Sequence, residues 1–300
     1  MTNGVYRALF WTMVYAGRPI GGIRPRRITY WLQRKAFPRE AFSSAGAKWR
    51  KDRWGTELLV NPYYLLDASV IAFGAFEPDL HQYLERHVRS GMICFDVGAN
   101  IGVVSVHLGR LVGQSGRVHA FEPVPAILER LDQHVERNGM TQVVNVHPIA
   151  LSNQTGTASF AVADSDASNQ AQGSLVTRNN PSLTRLLDVT TVTLDEFVEQ
   201  QKVDRIDLMK IDIQGSEIFL LEGGKRTFSE LGPDLLMEVS PEDLVNIGKS
   251  SQDLLEMVES YGYFVFELAH GTPSKRVTSA SVPPDYYNPH VLCTKRRVEV

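Results

Sequence analysis

Two cysteines, Cys94 and Cys293, are all that the 300 residues contain. So few exclude a disulfide framework, fit a reducing cytoplasmic setting and leave each thiol to pack as a small hydrophobe. Long apolar runs are missing too. The apolar stretch from Val5 to Ala16 is interrupted by Arg7 and falls short of the roughly 20 residues that a spanning helix needs. No small-residue cleavage site follows it, so neither a bilayer span nor a secretory signal is expected. An amphipathic helix lying on a surface is the membrane reading left open. There is no repeat of fixed period, no zinc-type Cys/His cluster, no Gly-x-Ser-x-Gly elbow and no phosphate loop ending in Lys-Ser/Thr. Their absence sets aside zinc modules, serine-hydrolase elbows and P-loop nucleotide sites. Charge of one sign is not in large excess: the net charge is −3, with 22% charged and 43% apolar residues, as in an ordinary globular protein.

The charge is unevenly distributed. Residues 1–53 carry twelve Lys/Arg against Glu40 and Asp52, while the remainder carries nineteen against thirty-two acids. A basic arm of this kind suits an anionic partner such as a membrane surface, acidic glycan or nucleic acid, or is a solvated extension. Pro19, Pro25 and Pro38 break it and no strand pattern appears. Residues 1–53 therefore read as a mainly helical extension and 54–300 as the main domain, with its core from about residue 90. Before that core, GTELLVNP and YYLLDASVIAFG read as short strands or a hairpin, and Pro78 to Arg89 as a helix.

The stretch MICFDVGANIG, Met92 to Gly102, organises the rest. An apolar run ends in Asp96, and Gly98 and Gly102 bracket a turn before a helical pattern, as in a buried strand feeding a helix N-terminus. Such a loop lets backbone N–H groups approach a carboxylate or phosphate. RVHAFEP, VVNVHPIAL, IDLMKIDI, DLLMEVSP, YFVFEL and PHVLCTK read as further strands, separated by helical segments such as AILERLDQHVERNG, EIFLLEGGKRTF and SQDLLEMVESYG. TASFAVA reads as an added strand, and Asp164 to Asp188 as a long polar loop. The alternation predicts an α/β fold with a doubly wound, mostly parallel sheet. Ligands in such sheets bind beyond the carboxyl ends of the strands. That rule directs attention to Asp96–Gly98, Glu122, Ala150–Asn153, Asp212–Gly215 and Glu238. Glu122, ending the second strand, suits two ribose hydroxyls. The loop lacks the Gly-x-Gly-x-x-Gly spacing of pyrophosphate sites, so a nucleoside without pyrophosphate is expected.

FDVGANIG with HAFEP, then VDRIDLMKIDIQGSEIFLLEGG and LLMEVSP, in that order, resembles the FkbM-type S-adenosylmethionine-dependent methyltransferases of the class I Rossmann-like fold. The resemblance runs from about Trp54 to the C-terminus. It implies a seven-stranded sheet with an antiparallel last strand, S-adenosyl-L-methionine as methyl donor, and a hydroxyl acceptor on a sugar or natural product. It also implies that Asp96, Gly98, Ala99, Asn100 and Gly102 wrap the methionine part, that Glu122 and Pro123 serve the ribose, and that Ala150 lies near the adenine. Glu77, in GAFEP, would close over the methionine end.

For the chemistry, Asp212 and Glu238 are the candidate bases at adjacent strand ends, or the ligands of a magnesium ion. Asp212 would also lie against the cofactor. Lys210 shares a strand face with Asp212, either as a paired structural lysine or as a group that orients the acceptor. His147 and His290 are spare candidates for the base. The family pattern reads KIDVEGAE, whereas Gln214 stands here at the first glutamate, and an amide cannot act as a base at neutral pH. Ser168, Asn169, Gln172 and Ser174 form a candidate acceptor-facing lid. The expected partner is a small-molecule or glycan acceptor. Nucleic acid is disfavoured because the fourth strand ends in DIQG rather than in an Asn/Asp-Pro-Pro-aromatic turn, although the basic arm keeps an RNA ribose in view. The other alternative is a nucleoside-binding protein without catalysis.

Overall fold

A computed structural model describes residues 5, 6, 8, 9, 12, 35, 36, 47–62, 64–162 and 185–299. They fall into two compact units divided between Glu77 and Pro78. Most of the basic arm, and the candidate lid residues Ser168, Asn169, Gln172 and Ser174, lie outside the described residues. Among those described, no helix is long and apolar enough to cross a membrane.

The smaller unit holds an antiparallel hairpin of β1 (Lys48–Lys51) and β2 (Glu57–Val60). Its turn is tied by Asp52, whose Oδ1 accepts from the backbone N–H groups of Trp54 at 2.9 Å and Thr56 at 2.8 Å. The following LLDASVIAF is not a strand but helix α1 (Leu65–Phe73). A nearly continuous apolar run has no period with which to tell a buried helix from a buried strand. Here the stop is Gly74, in the left-handed region at φ 70°, which donates back to Val70.

The larger unit carries the alternation. Helix α2 (Pro78–His87) leads into β3 (Ile93–Val97), α3 (Val103–Val112), β4 (Arg117–Phe121), α4 (Pro125–Arg137) and β5 (Val144–His147). After an excursion come α5 (Leu194–Gln200), β9 (Leu208–Ile211), α6 (Glu217–Gly223), α7 (Lys225–Glu230) and β10 (Asp234–Val239). The chain finishes with α8 (Pro241–Leu244), α9 (Ser251–Ser260), β11 (Phe264–Ala269), β12 (Thr272–Val277) and β13 (Asn288–Thr294). The spatial order is β12-β11-β13-β10-β9-β3-β4-β5, with β5, β4, β3, β9 and β10 parallel and β13 antiparallel between β10 and β11. The strand order reverses between β3 and β9, which is where a doubly wound sheet binds ligands.

Two expectations need correction and one an addition. The seven expected strands, with antiparallel β13 the last, are present, and among the described residues β12 adds an eighth at the edge by a hairpin through His270 and Gly271, at φ 52° and 67°. Its polar TPSKRV carries no apolar alternation, because it is an exposed edge with Lys275 and Arg276 on it. The segment VVNVHPIAL is two strands. It breaks at Pro148, and β6 (Ala150–Ser152) joins a separate three-stranded sheet with β8 (Arg185–Thr193) and β7 (Gly156–Val162), so the last four residues of the expected polar loop are strand. Finally, EIFLLEGGKRTF is two helices parted at Gly224, where a Cβ would fall 2.5 Å from Phe228 and 2.7 Å from Leu194.

Period two divides the sheet's side chains between two cores. Phe95, Val97, Met209, Ile211, Leu235, Met237, Val291 and Cys293 belong to one. Cys94, Leu208, Leu236 and Leu292 belong to the other, beneath Leu80 and Leu84 of α2 and Val104 and Leu108 of α3. Two residues further toward the ligand end, the second face ends in Asp96, Lys210, Glu238 and His290.

Candidate functional site

Lys210 joins the two central strand ends. Its ammonium donates to the carbonyl of Gly98 at 2.8 Å and lies 3.5 Å from Asp96 Oδ1 and 3.6 Å from Asp212 Oδ2. Lys210 and Asp96 are buried, and register makes them direct neighbours. Asp96 is wholly internal, with Oδ2 accepting from Ser105 Oγ at 2.5 Å. One cation thus offsets two carboxylates and pins the loop after β3. A buried charge is tolerable only with such partners.

That loop spends its own donors. Gly98 N–H and Ala99 N–H both donate to Phe121 O, at 3.1 and 2.9 Å. Asn100 N–H donates to Glu122 Oε2 at 3.1 Å, Ile101 N–H to Asn100 Oδ1 at 2.7 Å, and Gly102 N–H to Ala99 O at 2.9 Å. The amides of Gly98, Ala99, Asn100, Ile101 and Gly102 are thus spent within the turn itself. The first turn of α3 beyond them has Gly102 at its N-cap and no side-chain cap, so its amides and positive dipole end are the donors suited to an anion. Gly102 owes its place to packing as well as to φ 82°, since a Cβ there would fall 2.3 Å from Leu131.

Glu122 is buried at the end of β4. Pro123 has no N–H, so the second carboxylate oxygen, Oε1, takes the amide of Val124 at 2.9 Å. Burial pushes the Glu122 carboxyl up to about 7, against the pull of those two amides and of Lys210. Each oxygen accepts one bond and keeps capacity for another.

Asp212 and Glu238 are linked by Gln214. Its Nε2 donates to Asp212 Oδ1 at 2.9 Å and to Glu238 Oε2 at 3.3 Å. Glu238 sits where β10 shifts register against β13, a bulge that re-aims its side chain. Burial opposes the Asp212 charge, but Lys210, the Gln214 amide and a hydrogen bond from Glu238 hold its carboxyl below the usual carboxylate range. His290 is near enough to feel both Asp212 and Lys210. Burial pushes it down to about 4 against the pull of Asp212, so it is neutral at pH 7. The expected magnesium does not suit these groups: an amide donor bridges the two carboxylates and an ammonium faces one of them, where a cation needs free lone pairs. Among the described residues no group of three or more His, Cys, Asp or Glu is arranged to hold a metal ion.

Comparison with known proteins agrees with this architecture. The family model for the methyltransferase FkbM domain matches residues 96–265, from Asp96 through β11. This chain belongs to the FkbM methyltransferase family. It is similar to methyltransferase sdnD of Sordaria araneosa, 25% identical over 53% of this chain and 70% of that protein. It is also similar to hexuronic acid methyltransferase AglP of Haloferax volcanii, 27% identical over 49% of this chain and 56% of the relative. The crystal structure of methyltransferase FkbM from Methylobacillus flagellatus KT is similar at 19% identity and TM-score 0.43, covering 76% of this chain and 53% of that one.

Within this family member, the other sequence candidates fall in several places. Ala150 opens β6 and pairs with Thr191, in the small sheet. Glu77 belongs to the smaller unit, at φ 44°. His147 stacks on His119 with Nε2 2.9 Å from its Nδ1, in a box with Phe121 and Phe197. Burial drives both imidazoles down to about 4, which fits a packed neutral pair rather than a base. Glu217 was not anticipated. It is buried, accepts from Ile213 N–H at 3.0 Å and is pushed by burial up to about 7. The signal for it is the one acid of the Gln-Gly-Ser-Glu turn, at the first residue of α6, four residues after the Ile213 amide that it accepts from.

Proposed function

We propose that this methyltransferase moves the methyl group of S-adenosylmethionine to a hydroxyl on a saccharide or glycosylated small molecule. The observation that carries the reading is Glu122: a buried carboxyl at the end of the second parallel strand, fixed by Asn100 and Val124 amides and beside the point where the sheet reverses. Its remaining lone pairs suit the two hydroxyls of a ribose. The uncapped start of α3 suits the carboxylate of the methionine part. The residues present therefore fit this cofactor, which when bound supplies an electrophilic methyl on a sulfonium.

The chain's own contribution is to hold and deprotonate the acceptor. Aligning oxygen and methyl carbon for in-line displacement can contribute about 7–11 kcal/mol. With the cofactor bound, methyl transfer to the acceptor oxygen would release the hydroxyl proton, and the Asp212–Glu238 pair would take it. Asp212 is ionised at neutral pH and aligned by Lys210 and Gln214. Gln214 itself holds protons on its amide and takes none. A saccharide acceptor is favoured by the relative named for hexuronic acid.

The test is transfer of isotopically labelled methyl from S-adenosylmethionine to a panel of uronic acids, neutral sugars and glycosides, with a transcript RNA as comparison. Label on a sugar hydroxyl is the expected product. Label on RNA alone, or on none, contradicts the assignment.

A further inference from the structure

Gln214 stands in an unusual posture for its residue type. Its backbone lies in the left-handed region at φ 53°, a conformation that L side chains rarely adopt. The next residue, Gly215, is at φ 91°, and a Cβ there would fall 2.9 Å from the Asp243 carbonyl. A glycine or asparagine at 214 would take the same turn more readily. What the glutamine supplies is a side chain long enough to place one NH2 between two carboxylates from different strands, at 2.9 Å from Asp212 and 3.3 Å from Glu238.

We propose that Gln214 is a positioning residue that clamps Asp212 and Glu238 into one unit through its amide nitrogen, so that the acceptor hydroxyl meets a pre-formed carboxylate pair without a metal ion. The inference rests on the methyl-transfer reading for its catalytic consequence, but the clamp itself does not. Two carboxylates at this separation repel, and one can stay ionised only if donors offset the repulsion. The Gln214 amide offers a hydrogen to each oxygen and adds no charge. Lys210 supplies the positive charge from the other side, at 3.6 Å from Asp212 Oδ2. Among the described residues, Asp212 also interacts with His290 on β13, Glu217 on α6 and Asp243 on α8. Burial lowers the first and raises the other two, while Lys210, the Gln214 amide and the hydrogen bond from Glu238 keep Asp212 charged.

The experiment follows the carboxyl carbon of Asp212 by NMR through an acid titration of the full chain, assigned by its loss in Asp212→Asn. It compares the natural protein with Gln214→Gly, which keeps the turn and removes the clamp, and Gln214→Asn, whose shorter amide reaches one carboxylate at most. The expected result is an upward move of the Asp212 titration in Gln214→Gly and a smaller one in Gln214→Asn. Alongside it, turnover should fall about tenfold or more, the effect of a lost hydrogen bond to a charged group, with S-adenosylmethionine affinity unchanged. An Asp212 titration identical in Gln214→Gly and the natural protein overturns the clamp. If the natural protein fails to bind S-adenosylmethionine, the methyl-transfer reading falls, while a moved titration still upholds the clamp.

Discussion

The carbonyl oxygen of Asp212 occupies the space where a side chain at residue 98 would begin: a Cβ built on Gly98 falls 2.0 Å from it. The loops after β3 and β9 are therefore in backbone contact, and the Asp212 amide donates to Val97 O across the same junction at 3.2 Å. This closeness brings Lys210, Asp96 and Asp212 within reach of one another.

Gly98→Ala should separate the two loops. Residue 98 lies at φ 77°, and the clash is with backbone, which cannot swing aside. The left-handed conformation and the overpacking together predict a loss of about 2–5 kcal/mol. Chemical denaturation should show it as a lower midpoint with little change in slope; a midpoint equal to the natural protein's would mean that the loops are not in contact.

Lys210→Met should cost about 3–5 kcal/mol, because it leaves Asp96 buried without its cation. A double change with Asp96→Asn should recover part of that loss. Thermal melts of the single and double variants measure the coupling, and simple additivity of the two losses would argue against the pair.

Asp212→Asn should retain the fold, since an asparagine can still take the Gln214 amide, yet lower turnover by about 10²–10⁴, the range for a lost proton acceptor. Chelation with excess EDTA should leave turnover of the natural protein unchanged, because the amide and ammonium stand where a magnesium would need lone pairs. A chelator-sensitive rate restored by magnesium would overturn that account.

Stability should fall on acidification from pH 6.5 to 4.5. His107, His119, His147 and His290 are pushed by burial down to about 4, so their contribution is full above the unfolded value and lost as pH falls through the folded one. Glu122 and Glu217, raised by burial to about 7, act oppositely: their contribution is full below the unfolded value and lost as pH rises through the folded one. Over this window the four histidines outweigh the two acids. Glu122→Gln with Glu217→Gln should therefore steepen the acid loss in a melting-temperature profile against pH, and an unchanged slope would deny that these two acids are neutral at their sites.

Much of this arrangement is legible in the sequence because its signals are local. FDVGANIG and HAFEP put Asp96 and Glu122 at strand ends, and period two puts Lys210 and Asp212 on one face. The rest is set by contacts between distant segments. Nothing within MICFDVGANIG says that its amides turn to Phe121 O rather than outward, since Phe121 belongs to the neighbouring strand. Polar edge strand β12 lacks an apolar face to announce it. The role of Gln214 depends on Glu238, 24 residues away on another strand, and from sequence alone an amide in place of an acid reads only as a loss. The helix Leu65–Phe73 is hidden because its apolar run is nearly continuous and even its Asp67 and Ser69 are buried, which removes periodicity.

The central claim is that Glu122 and the first turn of α3 hold S-adenosylmethionine. Isothermal titration calorimetry of the full chain with S-adenosylmethionine tests it most directly. The account predicts one molecule bound per chain, with binding weakened at least tenfold in Glu122→Ala and unchanged in Glu85→Ala, an exposed substitution on α2. No heat of binding to the natural protein, or equal affinity in Glu122→Ala, would contradict it.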